Sequence, residues 1–265
     1  MQKRALLAPL HYTERGTGVP LVLLHAFPFS SAMWLTDAER LAATARVITP
    51  DLPGFGRSPR LAEPSISAMA AAAAGLLDGL GIREPVVVAG LSMGGYVAFE
   101  FLRQFPARVK ALGLFSTKAA PDSPEQRESR LKLAGQLAQS GIEVLLQTSV
   151  PKLLGPTTVS RRPAVAAEVE RAVRAASVDG IIDALRAMAA RRDSQPLLAS
   201  IACPTLVVAG SEDRVIPIAE SEAMAKAIPG ARLEVIPAAG HLVNLERPDA
   251  FQSAVDAWIR QAVKP

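Results

Sequence analysis

VVVAGLSMGGYVAFEF, Val86 to Phe101, decides the reading of this sequence. Three valines lead into Gly90-Leu91-Ser92-Met93-Gly94-Gly95, and a helix-like apolar pattern follows with no turn residues between. A buried strand must therefore become a helix within a couple of residues. A turn that sharp holds its central residue in a strained backbone conformation and throws the side chain clear of the sheet. The residues two before and two after approach closely, so only small side chains fit. Gly90 and Gly94 meet that demand, and Gly95 lets the helix pack tightly. Ser92 is then an exposed hydroxyl above a helix N-terminus. The pattern G-x-S-x-G is weak alone; the strand before it and the helix after it make it specific.

Including this one, β-branched or apolar runs stand at 19–25, 45–51, 85–90, 109–117, 204–210 and 231–240, with an edge strand expected near 10–15. They are near-continuously apolar, the mark of strands buried on both faces of a parallel sheet. Helical patterns at 65–80, 94–105, 217–228 and 247–262 alternate with them, which implies an α/β fold with helices on both faces. Residues 118–196 break the rhythm. They read as helices near 125–139, 141–148, 164–176 and 178–191, punctuated by Pro151, Pro156 and Pro163. A helical insert of that length predicts a cap over a site. The domain expectation is a core of 1–117 plus 197–265 and a cap of 118–196.

The net charge of +4 is spread with both signs interleaved, so nucleic-acid binding is not expected. Cys203 is the single cysteine, which excludes an intrachain disulfide and a cysteine-built zinc site. His11, Tyr12 and Thr13 interrupt the N-terminal apolar stretch before it reaches signal-peptide length, and no run approaches a membrane span. A cytoplasmic location is expected.

Serine is a poor nucleophile at neutral pH and needs a base held by an acid. Of three histidines, His241 directly follows the last strand run, at the end of a sheet where α/β folds place their sites. The acid should also follow a strand. Asp213 is the first choice, because one residue further from Gly210 suits a loop reaching toward the ring; Glu212 is the alternative.

The order Ser, Asp, His, each just past a strand run, resembles the α/β-hydrolase superfamily. So do HAFPFSSAMW, DLPGFGRS, GLSMGG, GSEDRVIP and AGHLVNLERP, which together span nearly the whole chain. The resemblance implies a mostly parallel sheet of about eight strands, with a helical cap inserted after the sixth. It implies an oxyanion hole from the backbone N–H of Met93 and of Phe27. It also implies apolar pocket lining from Ala26, Pro28, Met33, Trp34, Phe115 and Leu242. Relatives usually carry His-Gly where this chain has His25-Ala26, which adds a methyl group beside the hole. Asp51, Arg57 and His25 read as structural.

A serine at the elbow, in place of aspartate, argues against dehalogenase and epoxide hydrolase chemistry. The expected reaction is cleavage of small to medium, largely apolar esters or lactones through an acyl-enzyme on Ser92. No cofactor or metal is expected, and the partner is the small-molecule substrate. The stretch from 196 onward also resembles enol-lactonases of aromatic catabolism, and a carbon–carbon bond hydrolase uses the same triad. A small-ligand binding protein on the same fold is the non-enzymatic alternative. Pro28 resembles the proline of cofactor-free haloperoxidases and perhydrolases, which implies secondary perhydrolase activity.

Overall fold

The computed structural model describes residues 9–262. In chain order it begins with β1 (Tyr12–Arg15), β2 (Pro20–Leu24), α1 (Leu35–Leu41), β3 (Arg46–Pro50), α2 (Ile66–Gly79), β4 (Val86–Leu91), α3 (Met93–Gln104) and β5 (Val109–Phe115). Five helices follow: α4 (Pro124–Ser140), α5 (Glu143–Thr148), α6 (Pro156–Arg161), α7 (Pro163–Arg174) and α8 (Val178–Ala189). The chain then returns through β6 (Thr205–Gly210), α9 (Ile218–Ala227), β7 (Arg232–Ile236), α10 (Val243–Glu246) and α11 (Pro248–Ala262).

The strands form one sheet in the order β1-β3-β2-β4-β5-β6-β7. Only β1 runs antiparallel, paired with β3. Every residue of β2, β4 and β6 is buried, as their unalternating apolar sequences require. The described residues thus hold seven strands where about eight were expected. The helical segment follows the fifth of them, because a single strand precedes β2 here.

The strand order places the site. The chain leaves β2 for β3 on one side, then crosses to β4 on the other, with Leu24 beside Gly90 in the parallel pair. Strand order reverses at that pair, and the crevice outside its carboxyl ends is where open α/β sheets bind ligands. The loop after β2 and the turn after β4 both open there.

Local chemistry explains the helix starts. Ser65 caps α2 by accepting from Ala68 N–H at 3.0 Å, and Ser123 and Gln126 form a reciprocal capping box on α4. Pro156 and Pro163, read in the sequence as punctuation, are the first residues of α6 and α7. Proline at that position loses only an N–H that no helix would satisfy. The short α6 was invisible for this reason.

The core carries one ionisable group unsuited to it. Asp37, in α1, is buried, and Asn244 Nδ2 donates to its Oδ2 at 2.9 Å and to the Met33 carbonyl at 3.1 Å. Burial pushes the Asp37 carboxyl from the ordinary 3.8 up to about 7, although the Asn244 hydrogen bond acts in the opposite direction. Between those values the unfolded chain gives up its proton and the native state keeps it. Stability from this group is therefore complete below about pH 4 and is lost as pH rises through 7. Asp37→Asn keeps the acceptor for Asn244 without the charge. Its melting temperature should exceed wild type by several degrees at pH 8 and converge with it near pH 4–5. Parallel melting curves across that range would show that Asp37 ionises normally.

Candidate active site

Ser92 has φ 55° and ψ −113°, the conformation its flanking glycines permit. A Cβ on Gly90 would lie 2.1 Å from the carbonyl of Gly94, and one on Gly94 would lie 2.1 Å from the Leu24 carbonyl oxygen. A Cβ on Gly95 would strike the Thr117 side chain. The turn is tied down by main chain: Ser92 N–H donates to the Phe115 carbonyl at 2.9 Å. Thr117 Oγ1 donates to the Ser92 carbonyl, also at 2.9 Å. With its backbone held from β5, the serine side chain borders a cavity of about 460 Å³.

His241 borders the same cavity. It follows β7 after Ala238, whose φ of 56° turns the loop back over the sheet. Its Nδ1 lies 2.8 Å from Asp213 Oδ2, and both side chains are almost wholly buried. The other carboxylate oxygen, Oδ1, accepts from Val215 N–H at 2.7 Å and Ile216 N–H at 3.0 Å. The carboxylate is therefore fixed from behind and faces the ring. Glu212 turns away: it accepts from Thr157 N–H at 2.9 Å and from the Thr157 hydroxyl. Those hydrogen bonds hold its carboxyl below the usual range. Of the two acids that the sequence left open, the structure brings Asp213 to the histidine.

Phe27 borders the cavity as well, from the loop after β2. Among the described residues no carbonyl accepts from the N–H of Phe27 or of Met93. His25 braces that loop. Leu52 N–H donates to its Nε2 at 2.9 Å, so the protonated Nδ1 donates to the Ala26 carbonyl at 2.9 Å. Burial lowers the His25 pKa to about 4, which keeps the ring neutral for this role. Asp51 organises the adjoining turn, accepting from Ser31 N–H, Arg57 N–H and the His11 ring at 2.8–2.9 Å.

The expected pocket lining is corrected. Ala26, Trp34, Phe115 and Leu242 are fully buried and do not border the cavity at Ser92. Trp34 and Phe115 instead pack on Phe251, at ring separations of 6.1 and 5.1 Å. Large aromatics next to a strand end serve the core here, and no local pattern marks which side they face. Pro28 and Met33 border a second cavity of about 390 Å³, together with Arg57, Glu168 and Ala172. The Met33 sulfur accepts from Ala26 N–H at 3.2 Å.

The lining observed is different and far more polar. The sheet side supplies Tyr96, Lys118, Arg214, Val215 and Ile216. The helical segment supplies Asp122, Gln126, Arg130, Leu133, Lys152, Leu153, Leu185 and Met188. The sequence reading missed Tyr96, Lys118, Asp122 and Arg130. Spacing gave one signal: Lys118 stands directly after the strand that holds the serine's backbone. Among the described residues no cluster of His, Cys, Asp and Glu is arranged to hold a metal ion. No described helix is long and apolar enough to cross a membrane.

The family model for the alpha/beta hydrolase fold matches residues 19–248. A thermophilic esterase of Thermogutta terrifontis, solved with malate bound, is 39% identical, with a TM-score of 0.93 over 96% of this chain and 94% of its own. The enol-lactonase of Burkholderia xenovorans is 28% identical, with a TM-score of 0.87 over 95% and 96% of the two chains. A 2-hydroxy-6-oxo-6-phenylhexa-2,4-dienoate hydrolase of Comamonas testosteroni is 28% identical over 95% of this chain and 91% of its own.

The packing of the elbow is directly testable. Gly94→Ala pushes a methyl group into the backbone of Leu24, which cannot yield as a flexible side chain would. Overpacking of this kind costs about 1–3 kcal/mol or more. The melting temperature should fall by roughly 5–10 °C, measured by circular dichroism. An unchanged melting temperature would mean that the turn has more room than its geometry gives it.

Proposed function

The chain belongs to the α/β-hydrolase fold family, and on that premise we propose that it is a serine hydrolase of carboxylic esters or lactones. One observation carries the reading: the strained Ser92 borders a single cavity with His241, whose ring is paired with the buried Asp213. The 39% identity to a protein described as an esterase favours esters over the other reactions known among its relatives.

In the proposed mechanism His241 Nε2 takes the Ser92 hydroxyl proton as Oγ attacks the substrate carbonyl carbon. Asp213 accepts from Nδ1–H, fixes the tautomer and stabilises the imidazolium as it forms. The Met93 and Phe27 N–H groups meet the oxygen that becomes negative, and the first turn of α3 adds its dipole. The tetrahedral intermediate collapses, the C–O bond to the alcohol breaks, and His241 returns the proton to that oxygen. Water then gives a proton to His241 as it attacks the acyl carbon; the bond from that carbon to Ser92 Oγ breaks, His241 returns the proton to Oγ, and the acid leaves.

Residues 118–196 are read as a cap. Arg130, Leu133, Leu153, Leu185 and Met188 from that segment border the cavity, which supports this reading. Its exchangeable side chains would set which acyl and alcohol groups fit, leaving the chemistry to the core. The expected cytoplasmic location is kept as part of this proposal.

A fluorophosphonate probe should label Ser92, located by peptide mass spectrometry, and Ser92→Ala should abolish both labelling and p-nitrophenyl acetate turnover. Asp213→Asn should cost about 10²–10⁴-fold in kcat, because the ring loses its orienting acceptor. Glu212→Gln should cost far less. Label at another residue, or well-folded Ser92→Ala retaining more than a few per cent of turnover, would refute the assignment.

A further inference from the structure

The wall of the cavity at Ser92 carries four basic side chains, Lys118, Arg130, Lys152 and Arg214, against two acidic ones, Asp122 and Glu125. Lys118, three residues beyond the strand that fixes the serine's backbone, is 8% exposed at its side chain. Its Nζ donates to Gln126 Oε1 at 2.9 Å, a neutral partner, and stands 4.0 Å from Asp122 Oδ1. That carboxylate is already engaged. Arg130 Nε donates to its Oδ2 at 2.6 Å, and Arg191 Nη1 lies 2.7 Å from its Oδ1. Arg191 is itself 3% exposed at its side chain and stacks over the Tyr96 ring at 4.1 Å. Three cations therefore share one carboxylate, itself 1% exposed.

Further charges face the same space. Lys152 and Arg214 border the cavity, and the one further acid on its wall is Glu125. Glu125 accepts from the Ser123 hydroxyl at 2.7 Å and is exposed. An ammonium withdrawn from water without a counter-ion of its own is unfavourable. Burial and the neighbouring Arg191 together push the Lys118 ammonium below its ordinary pKa, against the opposing pull of Asp122 and Glu220. A ligand anion would relieve this, and the cavity gives it access.

We propose that this cavity is built for substrates that carry a free carboxylate away from the scissile bond, held by Lys118 and Arg130 within the field of Arg191. This rests on the serine hydrolase reading above and narrows it. The preferred substrates are half-esters of dicarboxylic acids or lactones bearing a carboxylate side chain, in place of the largely apolar esters the sequence implied. Lys118 supplies a mobile point charge. Arg130 keeps guanidinium N–H donors beyond the one spent on Asp122. Tyr96 and Arg191 hold the arrangement rigid from behind.

The test compares monomethyl succinate, glutarate and adipate with methyl butyrate, valerate and hexanoate. Each half-ester is set against a neutral ester of matched length. For at least one length the wild-type kcat/KM should favour the half-ester by tenfold or more, and high salt should reduce that ratio. Lys118→Gln and Arg130→Gln should each collapse the ratio toward unity, whereas Lys118→Arg should retain most of it. Melting curves identify any variant that has lost its fold, and the wild-type ratio stands independently of all variants. Equal or better turnover of every neutral ester by wild type would overturn the proposal, as would a preference that survives Lys118→Gln and Arg130→Gln in folded protein. Absence of p-nitrophenyl acetate turnover and of fluorophosphonate labelling would instead refute the serine hydrolase reading.

Discussion

Everything at this site depends on one close approach of backbone. The carbonyl of Gly94 comes so near to Gly90 that no Cβ fits between them, and this lets β4 turn into α3 across a single residue. That residue, Ser92, pays with a positive φ. The strain persists because β5 holds both sides of the peptide: the Phe115 carbonyl takes the Ser92 N–H, and Thr117 reaches the Ser92 carbonyl. The first turn of α3 is thereby pressed against the loop after β2. Serine, the Met93 amide and the Phe27 loop owe their common position to that contact.

The outline of this arrangement was legible because it is written in local rules. Strand runs of continuous apolar residues, glycines two residues from a serine, and polar residues just past strand ends each have a short-range cause. Ser92, Asp213 and His241 could be singled out on those grounds, and the structure brings Asp213 and His241 within hydrogen-bonding distance. Helix boundaries fell within a few residues for the same reason.

The lining of the cavity was not legible. Which face of a strand end a side chain takes is set by the element packed on it, and that element here lies far along the chain. Trp34 and Phe115 turn inward because Phe251, from the last helix, fills the space between them. Nothing in the local sequence marks Lys118 as a buried lysine. Its burial arises from α4 and from Arg191, which arrive 8 to 73 residues later. Long-range packing decides such questions, and composition averages them away.

The helical segment is fastened to the core partly through the loops that carry the acid and the histidine. His241 N–H donates to the Leu153 carbonyl at 3.2 Å, Glu246 Oε2 accepts from Gly155 N–H at 2.9 Å, and Glu212 grips Thr157. The junction therefore behaves as a shared foundation and not as a seam. A segment so rooted is poorly suited to wholesale exchange between relatives, since a foreign insert would arrive without the carbonyl and amides on which the histidine loop rests. Diversification of this architecture is then steered toward the α4 and α8 surfaces, where side chains can change while the footing stays intact.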